Sequence, residues 1–168
     1  MTRTAMDTGA NSGIGLATAI ELARRGHRTI GTVRSRSKAA TLRAAAADAG
    51  VEVETALLDV TDADRCRTVV ERFVPDIEIN NAGYAQTAPV ELVDDAAAEH
   101  LLATMLIAPT RLARLALPHM REQGWGRIVN VSSILGRVTM PLTGWYQASK
   151  HGLEAVSDAL RLECASDG

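Results

Sequence analysis

Aromatic residues are scarce in this 168-residue chain: two Trp, two Tyr and one Phe, 3% of the composition. The core must therefore be built from Ala, Leu, Ile and Val rather than from large rings. Lysine is scarcer still among the cations. Of 18 basic residues only Lys38 and Lys150 are lysine, which hints that a compact ammonium rather than a planar fork is wanted at position 150. The two cysteines, Cys66 and Cys164, form no CxxC or metal-ligand spacing, so no metal site is expected and a reducing, cytoplasmic setting is the default. Neither sign of charge dominates, with 18 Lys+Arg against 20 Asp+Glu. That balance gives no electrostatic warrant for nucleic acid, which needs a clustered basic face. Long apolar runs are also missing. The densest, Leu101 to Ala108, falls far short of the roughly 20 residues of a bilayer span. Met1 to Ala10 carries no signal-peptide core. No membrane partner is expected.

The composition that remains, 46% hydrophobic and 23% charged, is that of a globular protein, and the length fits one domain over residues 1–168. Strand-like and helix-like segments alternate. Strands are expected at Thr4–Thr8, Arg28–Val33, Val51–Leu58, Asp76–Asn80 and Arg127–Ser132. Between them, helices are expected at Ile14–Arg25, with Ile14, Ala17, Leu22 and Ala23 in the apolar pattern, then at Lys38–Asp48 and Ala63–Phe73. Gly26 and Gly50 read as stops and Asp62 as an N-cap. Asp94–Glu122 is a long helical region that Pro109 and Pro118 should bend or divide, and Thr143–Cys164, with Thr143 as its cap, is the last helix. This alternation calls for an α/β fold: a Rossmann-type, doubly wound parallel sheet in the order 3-2-1-4-5. Ligands of such sheets bind beyond the carboxyl ends of the strands, near the switch between strands 1 and 4.

The chemistry-bearing motifs fall at those carboxyl ends. Thr8-Gly9-Ala10-Asn11-Ser12-Gly13-Ile14-Gly15 joins the first strand to the first helix. Gly9 permits a tight turn, while Gly13 and Gly15 clear side chains where a pyrophosphate approaches and where helix meets sheet. A ligand-free glycine turn is the alternative, but the flanking strand and helix favour nucleotide binding. Arg34 lies 19 residues beyond Gly15, the offset at which an acid reads an adenosine ribose or an arginine accommodates a 2′-phosphate. With no acid there and Arg36 nearby, NADP(H) is preferred over NAD(H), against the alternative of a solvated surface arginine. Asn80-Asn81-Ala82-Gly83 closes strand four, offering an amide to bridge strands and room for a flat ligand. Tyr146 and Lys150, four apart, share one helical face, and Ser133 ends strand five. A free tyrosine titrates near 10, so proton exchange at neutral pH needs a shift of about 3 units, or about 4 kcal/mol. One ammonium about 4 Å away, in an effective dielectric near 20, supplies about that much. Taken alone, the pair reads more readily as a surface contact.

In combination these motifs resemble the classical short-chain dehydrogenase/reductase family. The separation of 13 positions from Ser133 to Tyr146 and the segment Leu58-Asp59-Val60 add to the likeness, which covers essentially the whole chain. The resemblance implies an oxidoreductase acting on a small-molecule carbonyl or alcohol. Tyr146 would be the general acid and base, Lys150 would hold the nicotinamide ribose and favour ionisation of Tyr146, and Ser133 would orient the carbonyl. Gly9, Ser12, Gly13, Ile14 and Gly15 would line the pyrophosphate, with Asp59 and Val60 at the adenine and Asn81, Ala82 and Gly83 on the adenosine side. The long helices resemble those through which family members dimerise, implying a homodimer, although their apolar stripes would equally serve the core alone.

Three features depart from the pattern. Family members continue past the position of Gly168 through another strand, a substrate-covering loop and helices, so the resemblance reads this chain as truncated, with strand five at an open edge. Met105 stands where the family's fourth catalytic residue, an Asn, is expected. Asp7 and Glu78 occupy strand positions that are usually apolar, where each must pair with an arginine, protonate or mark an impaired sequence. A non-catalytic nucleotide-binding module or an inactive relic is therefore the alternative expectation.

Overall fold

The computed structural model describes residues 2–165. Along the chain run β1 (Thr4–Thr8), α1 (Gly13–Arg24), β2 (Arg28–Val33), α2 (Arg36–Asp48), β3 (Glu54–Leu57), α3 (Ala63–Phe73) and β4 (Ile77–Asn80), followed by α4 (Asp95–Leu102), α5 (Ala108–Glu122), β5 (Arg127–Asn130) and α6 (Gly144–Glu163). All strand pairs are parallel, in the order β3-β2-β1-β4-β5. This is the expected order, and it leaves a crevice where the winding reverses between β1 and β4.

Local chemistry sets most boundaries. The Asp62 carboxylate accepts the Arg65 N–H at 2.9 Å, capping α3 as expected. Ser35 does the same for Lys38 at 3.3 Å, so α2 starts at Arg36 and not at Lys38. Thr143 sits at the N-cap of α6 without capping it through its side chain; its Oγ1 accepts from Gln147 Nε2 instead. The expectation that α1 buries Ile14 and Ala17 is corrected. Its inward face is Gly15 and Ala19, and Ile14 is 64% exposed. The helix abuts the glycine turn so closely that only small residues fit beneath it.

Neither proline divides the long helical region. Pro118 lies within α5, and Asp95–Glu122 runs on without a break for 28 residues. Just before Pro109, however, Ala103–Ile107 widens into a π turn in which the Ala108 N–H donates to the Ala103 carbonyl. Pro109 has no N–H for the Met105 carbonyl and its ring would crowd that oxygen, so the wider turn absorbs the conflict. By length and composition alone this helix could cross a bilayer, which the shorter run Leu101–Ala108 could not. Here its stripe of Ala108, Leu112, Ala116 and Met120 is buried against the sheet.

Each face of the sheet has its own core. Met6, Ile30, Ala56 and Leu58 pack with Val69, Val70 and Phe73 of α3 and with α5. On the other side Ala10, Val33 and Val53 pack with Ala19 of α1 and with Ala39, Leu42 and Ala46 of α2. Burying each large aliphatic side chain is worth about 1.5–3 kcal/mol. The register sets Met6, Glu78 and Ile128 abreast on the α3–α5 side, so Asp7 turns to the opposite face, beside Gly31 and Ile79. Both carboxyl groups are fully buried and neither finds a hydrogen-bond partner. Neither forms an ion pair among the described residues. Of the three expected outcomes, the surroundings select protonation. Burial pushes Asp7 up to about 8. Burial, aided by the charge of Asp7, holds Glu78 well above the usual carboxylate range. Among the described residues β3 and β5 are the two outer strands, and Val129 of β5 is 47% exposed.

Candidate active site

The crevice is held open by a small set of hydrogen bonds at the ends of β1 and β4. Thr8 Oγ1 donates to the Ile79 carbonyl at 3.2 Å and accepts the N–H groups of Asn81 and Ala82 at 3.0 and 3.1 Å. Asn81 Nδ2 donates to the Thr8 carbonyl at 2.8 Å, tying the two strands together as its amide predicts. Asn80 reaches the other way, donating to Asn130 Oδ1 at 2.9 Å. Glycine is required here by contact: a Cβ on Gly15 would lie 2.4 Å from Asn81 Nδ2 and 2.7 Å from the Gly9 carbonyl oxygen. Gly13 differs. Its φ is +54°, and a Cβ there would meet nothing within 4 Å. Gly13 and Ile14 begin α1, and Ser12 precedes them with a hydroxyl that makes no cap bond, so the helix N-terminus opens onto free space.

Next to that terminus lies a cleft of about 260 Å³. It brings together Gly9, Ser12, Arg34, Asp59, Val60, Asn81, Ala82 and Gly83 from the expected set. Lys38, Tyr84, His100 and Thr104 also line it. The Asp59 carboxyl is held below the usual carboxylate range by the Thr61 hydroxyl and N–H, at 2.7 and 3.0 Å, with Arg34 adding its charge. The Tyr84 and His100 rings lie 6.0 Å apart. Among the described residues a larger hollow, about 490 Å³, opens between α5, β5 and α6, but it contains none of the expected site residues.

Ser133, Tyr146 and Lys150 lie outside the cleft, beyond the end of β5. Ser133 Oγ accepts the Leu135 N–H at 3.1 Å and so caps the short turn Ile134–Gly136. That turn packs on α6 so tightly that a Cβ on Gly136 would lie 3.2 Å from the Lys150 carbonyl oxygen. The Lys150 Nζ donates to the Val131 carbonyl at 2.6 Å and sits 5.9 Å from the centroid of the Tyr146 ring. Lys150 is only 6% exposed, and burial lowers its pKa while Glu154 pulls the other way. Tyr146 is half-buried in the first turn of α6, within reach of that helix's positive end.

A dinucleotide suits this arrangement. Free space faces Gly13 at an uncapped helix N-terminus, and Arg34 and Lys38 are among the residues lining the adjoining cleft. A profile described as short chain dehydrogenase matches residues 3–168. The chain belongs to the short-chain dehydrogenase family. It is 34% identical over 161 residues to a 3-ketodihydrosphingosine reductase of Bacteroides thetaiotaomicron, an alignment covering 93% of this chain and 56% of that protein. A short-chain dehydrogenase from Streptomyces avermitilis superposes with a TM-score of 0.91 at 35% identity, covering 100% of this chain and 63% of that one. A metagenomic short-chain oxidoreductase solved in complex with NADP gives a TM-score of 0.91 at 30% identity, over 98% of this chain and 77% of its own. The chain thus spans little more than half the length of the Bacteroides relative.

Against the family pattern, Met105 is 3% exposed and fills the space behind Gly83, its Cε 3.1 Å from where a Cβ would stand there. It packs the loop and offers no N–H or O–H donor. Sequence reasoning missed Lys38, Tyr84, His100 and Thr104. For Lys38 a signal existed, since the rarity of lysine marks it as much as Lys150. For the other three the placement shows only once the loop after β4 and the helical segment bearing His100 and Thr104 meet at the cleft.

Proposed function

We propose that the chain binds NADP(H) and interconverts a carbonyl compound and an alcohol, with Tyr146 as the proton donor in reduction and acceptor in oxidation. The observation that carries this reading is the Lys150–Tyr146 pair. It is anchored on the Val131 carbonyl at the end of β5, with the Ser133 turn packed beside it. A bound nicotinamide would supply the hydride. Ser133 Oγ uses its acceptor capacity on the Leu135 N–H and keeps its proton for a substrate oxygen. Lys150 uses one donor on Val131 and keeps two for ribose hydroxyls. Gly9, Ser12, Gly13, Ile14 and Gly15 would receive the pyrophosphate, Asp59 and Val60 the adenine, and Asn81, Ala82 and Gly83 the adenosine side. Arg34 and Lys38, with no acid at the end of β2, support NADP(H) over NAD(H). Pairing of two copies through α4, α5 and α6 is the assembly this reading carries, supported by exposed Ile107 and Leu162 on those helical segments; a monomeric mass in solution rejects it.

Mixing the protein with NADPH and a panel of ketones and aldehydes tests the chemistry. Turnover is expected, and Tyr146→Phe should lower it at least ~100-fold. A Tyr146→Phe variant as active as the parent refutes the assignment. A second reading, a nucleotide-binding module without catalysis, draws on Met105 and on a cleft that includes none of Ser133, Tyr146 and Lys150. NADPH binding without turnover of any substrate selects it.

A further inference from the structure

We propose that the carbonyl compound taken at this site is uncharged and apolar, a medium- or long-chain ketone or aldehyde and not a keto acid or sugar acid. The inference rests on the oxidoreductase reading above and deepens it. Two loops leave the carboxyl ends of β4 and β5 and meet around Ser133 and Tyr146. The Ala88 N–H donates to the Leu142 carbonyl at 2.8 Å. The Met140 N–H donates to Gln147 Oε1 at 3.0 Å, and Gln147 Nε2 returns a bond to the Met140 carbonyl at 2.6 Å. Gly144 lies so close to Val90 that a Cβ would come within 2.5 Å of its Cγ2. The loops therefore form one joined platform.

The side chains that this platform presents are apolar. Val90, Leu92, Ile134, Val138, Met140 and Leu142 are exposed by 55, 73, 77, 49, 54 and 49%. All six lie on the two joined loops, so an apolar substrate held at Ser133 and Tyr146 would gain burial against them. Charge is sparse and of the wrong sign for an acid. Arg137 is drawn along α6 by Glu154 and Asp158, at 2.7 and 3.8 Å. That leaves Glu91, exposed and in no ion pair among the described residues, to repel a carboxylate. Leu142 adds an independent sign. Its φ is +69°, a left-handed conformation that leucine rarely adopts, yet its side chain is half exposed and serves no core. Strain kept for an outward-facing apolar side chain points to a ligand that uses it.

A reduced nicotinamide, when bound, would supply the hydride to the carbonyl carbon and be oxidised in turn. The carbonyl oxygen takes the Tyr146 proton, and water restores that proton. The apolar tail takes no part and contributes only burial, about threefold in kcat/KM per methylene.

The test is NADPH-dependent reduction of 2-alkanones from butanone to decanone, beside 2-oxo acids of equal length, with equilibrium binding of the matching 2-alkanols to the NADP-loaded protein. The expected result is kcat/KM rising about threefold per methylene, and oxo acids at least ~100-fold poorer than ketones of the same length. Leu142→Gly should flatten the chain-length slope without lowering the melting temperature, since glycine adopts the φ of +69° freely. A flat series, or a preference for the oxo acids, overturns the proposal. If no compound turns over but alkanol affinity still rises with each methylene, the oxidoreductase reading fails while the apolar site stands. If alkanol affinity is flat as well, both fail.

Discussion

The buried carboxyl of Asp7 makes stability depend on pH in a direction opposite to that of most acids. Asp7 is fully buried in a central strand, without a hydrogen-bond partner, and burial raises it from 3.8 to about 8. The folded protein therefore holds a proton that the unfolded chain releases near pH 4. Stability from this group is complete below about pH 4 and is lost as pH rises through about 8. At about 1.4 kcal/mol per pH unit, the loss over that interval is about 6 kcal/mol, comparable with the whole stability of many domains. Asp7→Asn keeps the shape and cannot ionise. It should match the parent within about 1 kcal/mol near pH 4 and exceed it by about 5 kcal/mol or more near pH 8. Glu78→Gln should act in the same direction, and because the Asp7 charge contributes to the rise at Glu78, the two gains should not add fully. Urea unfolding followed by far-ultraviolet circular dichroism across this range measures both. Parallel pH profiles for parent and Asp7→Asn would refute the reasoning, since they would mean that Asp7 is ionised or hydrated in the fold.

Other perturbations address the crevice. Thr8→Val removes the acceptor of the Asn81 and Ala82 N–H groups, so a loss of about 2–3 kcal/mol is expected in the same unfolding assay. Gly15→Ala forces a Cβ to 2.4 Å from Asn81 Nδ2; it should lower stability by about 2 kcal/mol or more and weaken nucleotide binding, read by melting and titration. Gly13→Ala meets only backbone strain at φ +54°, about 1 kcal/mol, so a Gly13→Ala effect as large as that of Gly15→Ala would contradict the contact argument.

The strand order was readable because its signals are local. Each motif joins a strand end to a turn, and alternation with right-handed crossovers leaves few topologies. The Thr8–Asn81 junction follows from two such motifs meeting at the switch point. The cleft wall was less legible because residues 34–38, 58–60 and 81–104 come together only through packing. The π turn escaped as well. Pro109 announces a disturbance in the helix, but whether it kinks or widens depends on what Met105 must pack against, here Gly83. Ile14 fits the helical apolar pattern, yet it is exposed because α1 approaches the sheet through Gly15 and Ala19 instead. Asp7 and Glu78 broke the apolar strand pattern without changing the fold, since protonation removes most of the cost of burying them.

We propose that a phosphorylated nicotinamide dinucleotide would lie across the β1–β4 crevice with its 2′-phosphate on Arg34 and Lys38. Calorimetric titration of the chain with NADPH and then with NADH tests it most directly. The account predicts saturable binding of one NADPH per chain, at least ~10-fold tighter than NADH, with the difference collapsing in Arg34→Ala/Lys38→Ala. Absence of binding by either dinucleotide, or a double variant with undiminished preference, contradicts it.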